Sequence, residues 1–230
     1  MGKIAMHNSH YVELDKLIKE YEEDSRTIRS ERMVMKNYPK VLTMSVASSF
    51  EYNIKNRCQD FYDNPKLSIV PNYPKINAIK RKRKPIVDQM YDRMKAYNDN
   101  GVEHLSADDF YELFNGEKFR LMVEAIFDAK LRAQIQEVEE QIKNLTPLLD
   151  TNEQFAFEYA KQCDLKDAYV KCSFKDAEKA FLSLKLRRNQ VAHNYVNGLS
   201  DTFNDIQKFY DIAVIYVVAL EEAIEKLTNT

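Results

Sequence analysis

The chain has 230 residues, 44% hydrophobic and 30% charged, with only 4 Gly and 6 Pro. It is too apolar for a disordered chain, too poor in Gly and Pro for a turn-rich β protein, and without the roughly 18 uncharged apolar residues of a membrane helix. A net charge of −2 exerts no global pull on a polyanion, and three cysteines (Cys58, Cys163, Cys172) without CxxC spacing offer neither a disulfide framework nor a structural zinc site.

Residues 9–36 form the first predicted helix, with Tyr11, Leu14, Leu17, Ile18 and Tyr21 at helical spacing. Pro39 opens a second at its first turn, running from Val41 to about Tyr62. Its stripe reads Val41, Met44, Ala47 or Ser48, Glu51, Ile54 and Cys58, so Glu51 falls on a line of otherwise apolar or small residues. Pro65, Pro71 and Pro74 make residues 63–78 a loop. The basic run Lys80, Arg81, Lys82, Arg83 and Lys84 then leads into a helix predicted from Pro85 to Asn98. Asn100-Gly101 is a turn signal, and Ser106 with Asp109 marks a short helix over 107–115.

From Glu117 to Thr146 there is neither Gly nor Pro, and the apolar spacing predicts one long helix. Thr151 to Gln154 fits a capping box for another short helix. Phe174, Ala177, Phe181 and Leu184 trace the stripe of the next, ended by Asn197-Gly198. Ser200 or Asp201 then caps a last long helix through Phe203, Ile206, Phe209, Ala213, Val217, Leu220, Ile224 and Leu227. No segment reads as a strand. The expected fold class is all-α, a helical bundle in one domain spanning residues 1–230.

Charge is unevenly spread. Residues 75–95 hold eight basic side chains against Asp88 and Asp92, net +6; residues 171–188 hold six against Asp176 and Glu178, net +4. The stretch 199–227 is net −4. A polyanion would have two places to sit: the run Lys80 to Lys84, and the neighbourhood of Lys185 and Arg187, whose charges are expected to contact its phosphates. The opening residues MGKIAMHNSHYVELDKL lack the apolar core of a signal peptide, so a cytoplasmic, reducing setting is expected.

No P-loop, GxGxxG, HExxH or nucleophile elbow is present. One segment stands out, Lys185-Leu-Arg187-Arg188-Asn189-Gln-Val-Ala-His193-Asn-Tyr195. Extending the stripe 174, 177, 181, 184 by one turn puts Arg188 where an apolar residue is due. An Arg there requires an anionic partner or an oxyanion ligand, because burying it unpaired is costly, and its planar fork suits phosphate. His193 lies five residues on, about 140° around a straight helix. A working site therefore needs the helix to end between the two, or a second copy to bring the pair together.

This segment resembles the signature of HEPN domains, all-helical ribonucleases of bacterial defence and toxin systems, whose motif is Arg, four to six residues, then His. Arg188, Asn189 and His193 match it directly, and Tyr195 matches the Arg-x4-His-x-Tyr form of toxins paired with a nucleotidyltransferase antitoxin. KAFLSLKLRRNQVAH is similar to the family's helix ending in RNxxAH. VLTMSVASSFEYNI (41–54) resembles the second-helix motif, with its acidic residue, of RiboL-PSP-type HEPN proteins; Asn194 stands where Gly usually follows the His. Arg five residues before a His arises by chance about one time in five in such a chain, and the added Asn and Tyr lower this to about one in a thousand. The resemblance covers mainly 40–60 and 174–227; residues 63–172 add nothing to it.

The resemblance implies a HEPN-like bundle with additional helices, paired as a two-fold homodimer around a composite cleft. It implies metal-independent endonucleolytic cleavage of RNA to 2′,3′-cyclic phosphate and 5′-hydroxyl ends, by a toxin or antiphage effector that uses no cofactor. His193 is then the acid/base, Arg188 the phosphate clamp, Asn189 a positioning group and Glu51 a polar helper, with Tyr195 lining the site or open to modification. Partners would be RNA, a second copy and an antitoxin or defence-system protein, with no membrane. The alternative is a catalytically silent helical module that binds a protein or nucleotide through the same cleft.

Overall fold

The computed structural model describes residues 16, 19, 32–64, 85–97, 101–193 and 200–229. Most of the helix expected over 9–36 and the loop expected over 63–78 lie outside the described residues, as do Lys80, Arg81, Lys82, Arg83 and Lys84; Lys16 and Lys19 are helical. The described chain is mostly helical, and no helix in it is long and apolar enough to cross a membrane.

Helix α1 spans Arg32–Tyr62 and contains Pro39 rather than starting at it. The interruption of the backbone ladder is tolerated within the helix, where the Thr43 hydroxyl donates to the Pro39 carbonyl at 2.7 Å. Its buried line is Leu42, Val46, Phe50, Ile54, Cys58 and Phe61. This is rotated slightly from the expected stripe: Val41 is exposed and Glu51 sits half-buried on the flank of the core.

Helix α2 covers only Ile86–Tyr91, not the stretch to Asn98. Met90 and Met94 are buried as their spacing suggests, and Tyr91 with them, but the backbone tightens after Tyr91, with the Arg93 and Met94 amides donating to the Met90 and Tyr91 carbonyls. A strand follows where none was expected. Strand β1 (Lys95–Tyr97) pairs antiparallel with β2 (Glu103–Ser106), in the register Lys95 to Ser106 and Tyr97 to Glu103. Gly101, on the turn side, takes φ +73, which suits glycine.

Helix α3 (Asp108–Tyr111) is followed by α4 (Glu117–Leu145), the long helix expected from its composition, and a 3-10 turn over Thr146–Leu148. Helix α5 runs Glu153–Lys171, longer than expected; its cap is Asn152, whose Oδ1 accepts the Gln154 amide at 2.9 Å, rather than Thr151. Helix α6 (Phe174–His193) and α7 (Phe203–Asn229) start alike. Ser173 and Asp176, like Thr202 and Asp205, each accept the other's backbone N–H, at 3.1–3.2 Å and 2.9–3.3 Å. These reciprocal caps satisfy first-turn donors and replace the expected Ser200 or Asp201 cap.

Helix α7 is the axis of the bundle. It packs on α6, α1 and α4, which is why it is apolar on nearly every face, from Ile206 and Tyr210 to Leu220 and Ile224. Phe50 of α1 stacks on Tyr210, 6.0 Å between ring centres, and lies 6.1 Å from Phe181 of α6. Phe181 and Phe174 both meet Tyr216. The buried side chains form one continuous cluster, and its aromatic centre fixes how α1 and α6 face each other.

Candidate functional site

Phe174, Ala177, Phe181 and Leu184 are all buried along α6, and Arg188 follows one turn later on the same line with a quarter of its side chain exposed. The Phe50–Phe181 contact sets α1 against this line. The residue after Phe50 is Glu51, and its Oε2 meets the Arg188 guanidinium at Nη2. The anionic partner that a buried-line Arg demands is thus a carboxylate of a neighbouring helix.

The pair is the middle of a longer row of charges. The other Glu51 oxygen, Oε1, takes Lys55 Nζ, four residues on in α1. Lys55 Nζ also lies 2.6 Å from Oδ1 of Asp88 in α2. On the other side, Arg188 Nη1 donates to Asn189 Oδ1 at 3.3 Å. Arg188 Nε is buried and has no hydrogen-bond acceptor among the described residues. Burial draws the Arg188 pKa below the ordinary guanidinium value, yet arginine keeps its charge in proteins. The two acids and two bases sum to zero.

His193 is the last residue of α6, and it is exposed. The helix does not end between Arg188 and His193. Of the two ways to bring them together, the described chain therefore does not use the first. Their side chains leave one unbroken helix about 140° apart. Tyr195 lies outside the described residues.

Lys185 and Arg187, expected at an RNA surface, are both engaged within the chain. Lys185 is buried, 9% exposed. Its Nζ donates to the carbonyls of Tyr91 (3.1 Å) and Met94 (2.5 Å) and lies 4.2 Å from the Tyr91 ring centre. The Tyr91 carbonyl also accepts the Met94 amide, and Met94 lies just past the helix, so the lysine ties the turn that follows α2 to α6. Arg187 makes a two-pronged pair with Asp201, both contacts 3.1 Å, and stacks over Phe209 at 4.2 Å. Both cations satisfy groups of their own chain, and the net charge of the 171–188 segment overstates what it presents outward.

Lys55 and Asp88 escaped the sequence reading. Lys55 carried a signal, the i,i+4 spacing after Glu51; Asp88 carried none, because only the packing of α2 on α1 brings it there. A second polar cluster was equally hidden. Glu178 of α6 accepts from the Tyr111 hydroxyl at 2.6 Å, and that hydroxyl lies 2.7 Å from the hydroxyl of Tyr216, all three buried. Among the described residues, no three His, Cys, Asp or Glu side chains converge as a metal site requires.

Compared with known proteins, the chain matches no family model, no curated protein and no solved structure.

Proposed function

We propose that the chain is a HEPN-type, metal-independent endoribonuclease of a toxin or antiphage system, with Arg188 and His193 as its working pair. The observation that supports this most is the contrast between them. Arg188 lies on the buried line of α6 with its charge answered by Glu51 and one N–H without an acceptor among the described residues, while His193 stands exposed at the end of the same helix. A guanidinium held against a carboxylate is a fork shaped for a planar oxyanion, and an exposed imidazole is free to exchange protons with solvent and substrate.

In the proposed reaction His193 takes the proton of a ribose 2′-hydroxyl. The 2′-oxygen attacks phosphorus, the bond from phosphorus to the 5′-oxygen breaks, and a second His193 protonates the departing oxygen. Arg188 answers the charge that builds on the non-bridging oxygens. The second His193 comes from a second copy of the chain, since one unbroken α6 cannot turn both groups toward one phosphate. The products are a 2′,3′-cyclic phosphate and a 5′-hydroxyl.

The test is end-labelled RNA incubated with the purified protein in EDTA, followed by analysis of the new ends. Cleavage with cyclic-phosphate and 5′-hydroxyl ends is expected; strict Mg²⁺ dependence or 3′-hydroxyl ends would remove the mechanism. One observation favours a second reading, a silent module that binds a protein or nucleotide. Arg188, Lys185 and Arg187 are all paired within the chain. Binding of a nucleotide or a protein partner without any cleavage of RNA would select it.

A further inference from the structure

Glu51 is shared. If Arg188 is to grip a phosphate, as proposed above, it must turn away from Glu51 and leave that carboxylate on a half-buried flank of the core. An abandoned carboxylate there is costly, and the cost would hold Arg188 in place. The surrounding contacts supply a remedy. Glu51 presents one oxygen to Arg188 and the other to Lys55, and Lys55 is itself fixed by Asp88 at 2.6 Å. Asp88 belongs to α2, whose end is tied by Lys185 back to α6, three residues before Arg188. The contacts close a ring through three helices: Lys185, the end of α2, Asp88, Lys55, Glu51 and Arg188.

We infer that Lys55 is a positioning residue of this site, holding Glu51 in place and partly neutralised so that Arg188 is free to exchange its carboxylate for a phosphate. The inference rests on the reading of Arg188 as a phosphate ligand. It makes two sign predictions that a merely supportive surface lysine would not share. Removing the Lys55 charge leaves Arg188 as the principal partner of Glu51 and pins it, so phosphate binding weakens. Removing the Asp88 charge gives Lys55 wholly to Glu51 and loosens Arg188, so phosphate binding tightens.

The experiment is fluorescence anisotropy with a labelled 2′-O-methyl RNA oligonucleotide, which keeps the phosphates but lacks the attacking hydroxyl, with thermal melting as a check of folding. Lys55→Met is expected to weaken binding roughly tenfold, in the range of coupled neighbouring charges, and Lys55→Arg to restore it. Glu51→Gln should bind more tightly than the wild type, and adding Lys55→Met to it should then change nothing. Asp88→Asn tests the same ring with the opposite sign should Lys55→Met fail to fold. Equal losses from Lys55→Met with and without Glu51→Gln, or weaker binding by a folded Asp88→Asn protein, would overturn the inference. Arg188→Ala separates the two levels. If it binds the oligonucleotide as well as the wild type, the phosphate role of Arg188 itself falls; if it binds poorly while Lys55 and Glu51 act independently, only the inference about Lys55 falls.

Discussion

Lys185 and Arg188 are cations one turn apart on α6, and the difference in their partners predicts different consequences of losing them. Lys185 holds the carbonyls of Tyr91, at the end of α2, and of Met94, just past it, and is itself buried. Lys185→Ala should lower the unfolding free energy by about 2–3 kcal/mol, the range of charge-assisted hydrogen bonds whose acceptors are left behind. Arg188→Ala should cost less, on the order of 1 kcal/mol, because Glu51 keeps Lys55 when the guanidinium is gone. Urea unfolding of the two variants decides this, and a larger loss for Arg188→Ala would mean that Lys55 does not compensate Glu51. The position of Arg188 was legible from the spacing of Phe181 and Leu184 alone. The role of Lys185 was not, because its acceptors are carbonyls more than ninety residues away along the chain, and periodicity reports a face but not what meets it.

Between helices, the buried trio Tyr111, Glu178 and Tyr216 joins α3, α6 and α7. Burial raises the Glu178 pKa above its ordinary 4.5, with the Tyr111 hydrogen bond opposing the shift. The folded protein thus holds this proton more tightly than the unfolded chain. The stability it contributes is complete below about pH 4.5 and is lost as pH rises through the raised value. Glu178→Gln keeps an oxygen for Tyr111 and has no proton to lose. It should therefore be more stable than the wild type at pH 7 to 8, with the advantage disappearing near pH 4; denaturant midpoints across that range measure it. An advantage that grows toward acid would contradict the assignment. The long elements here were readable because α4, α6 and α7 each keep apolar residues at helical spacing without Gly or Pro. The end of α2 and the β1–β2 pair were not: Met90 and Met94 fit a helical face, but the backbone tightens after Tyr91 and leads into β1, in a turn that Lys185 of a different helix holds. Pro39 misled for a related reason, since its ring suits a first turn but is also accommodated inside α1.

For the chain as a unit, the unbroken course of α6 to His193 carries the main consequence. One copy presents Arg188 inward and His193 outward, and a site using both needs a second copy. We therefore expect a homodimer at micromolar concentration, with its cleft where two α6 ends meet; light scattering measures the mass, and a fully active monomer would refute the shared site. RNA affinity should also fall with rising salt, as phosphate contacts do. The spacing of Arg188 and His193, and the angle of about 140° that one helix puts between them, were legible in the sequence. What the sequence could not disclose was that Glu51 occupies Arg188, which follows from the seating of Phe50 against Phe181 and Tyr210.

The most direct measurement is the single-turnover cleavage rate of labelled RNA in EDTA for the wild type, Arg188→Ala and His193→Ala, each shown to be folded. Loss of a positioned acid/base or oxyanion donor predicts a fall of at least about a hundredfold in both variants. A folded Arg188→Ala protein that cleaves at the wild-type rate would contradict the proposed role of the pair.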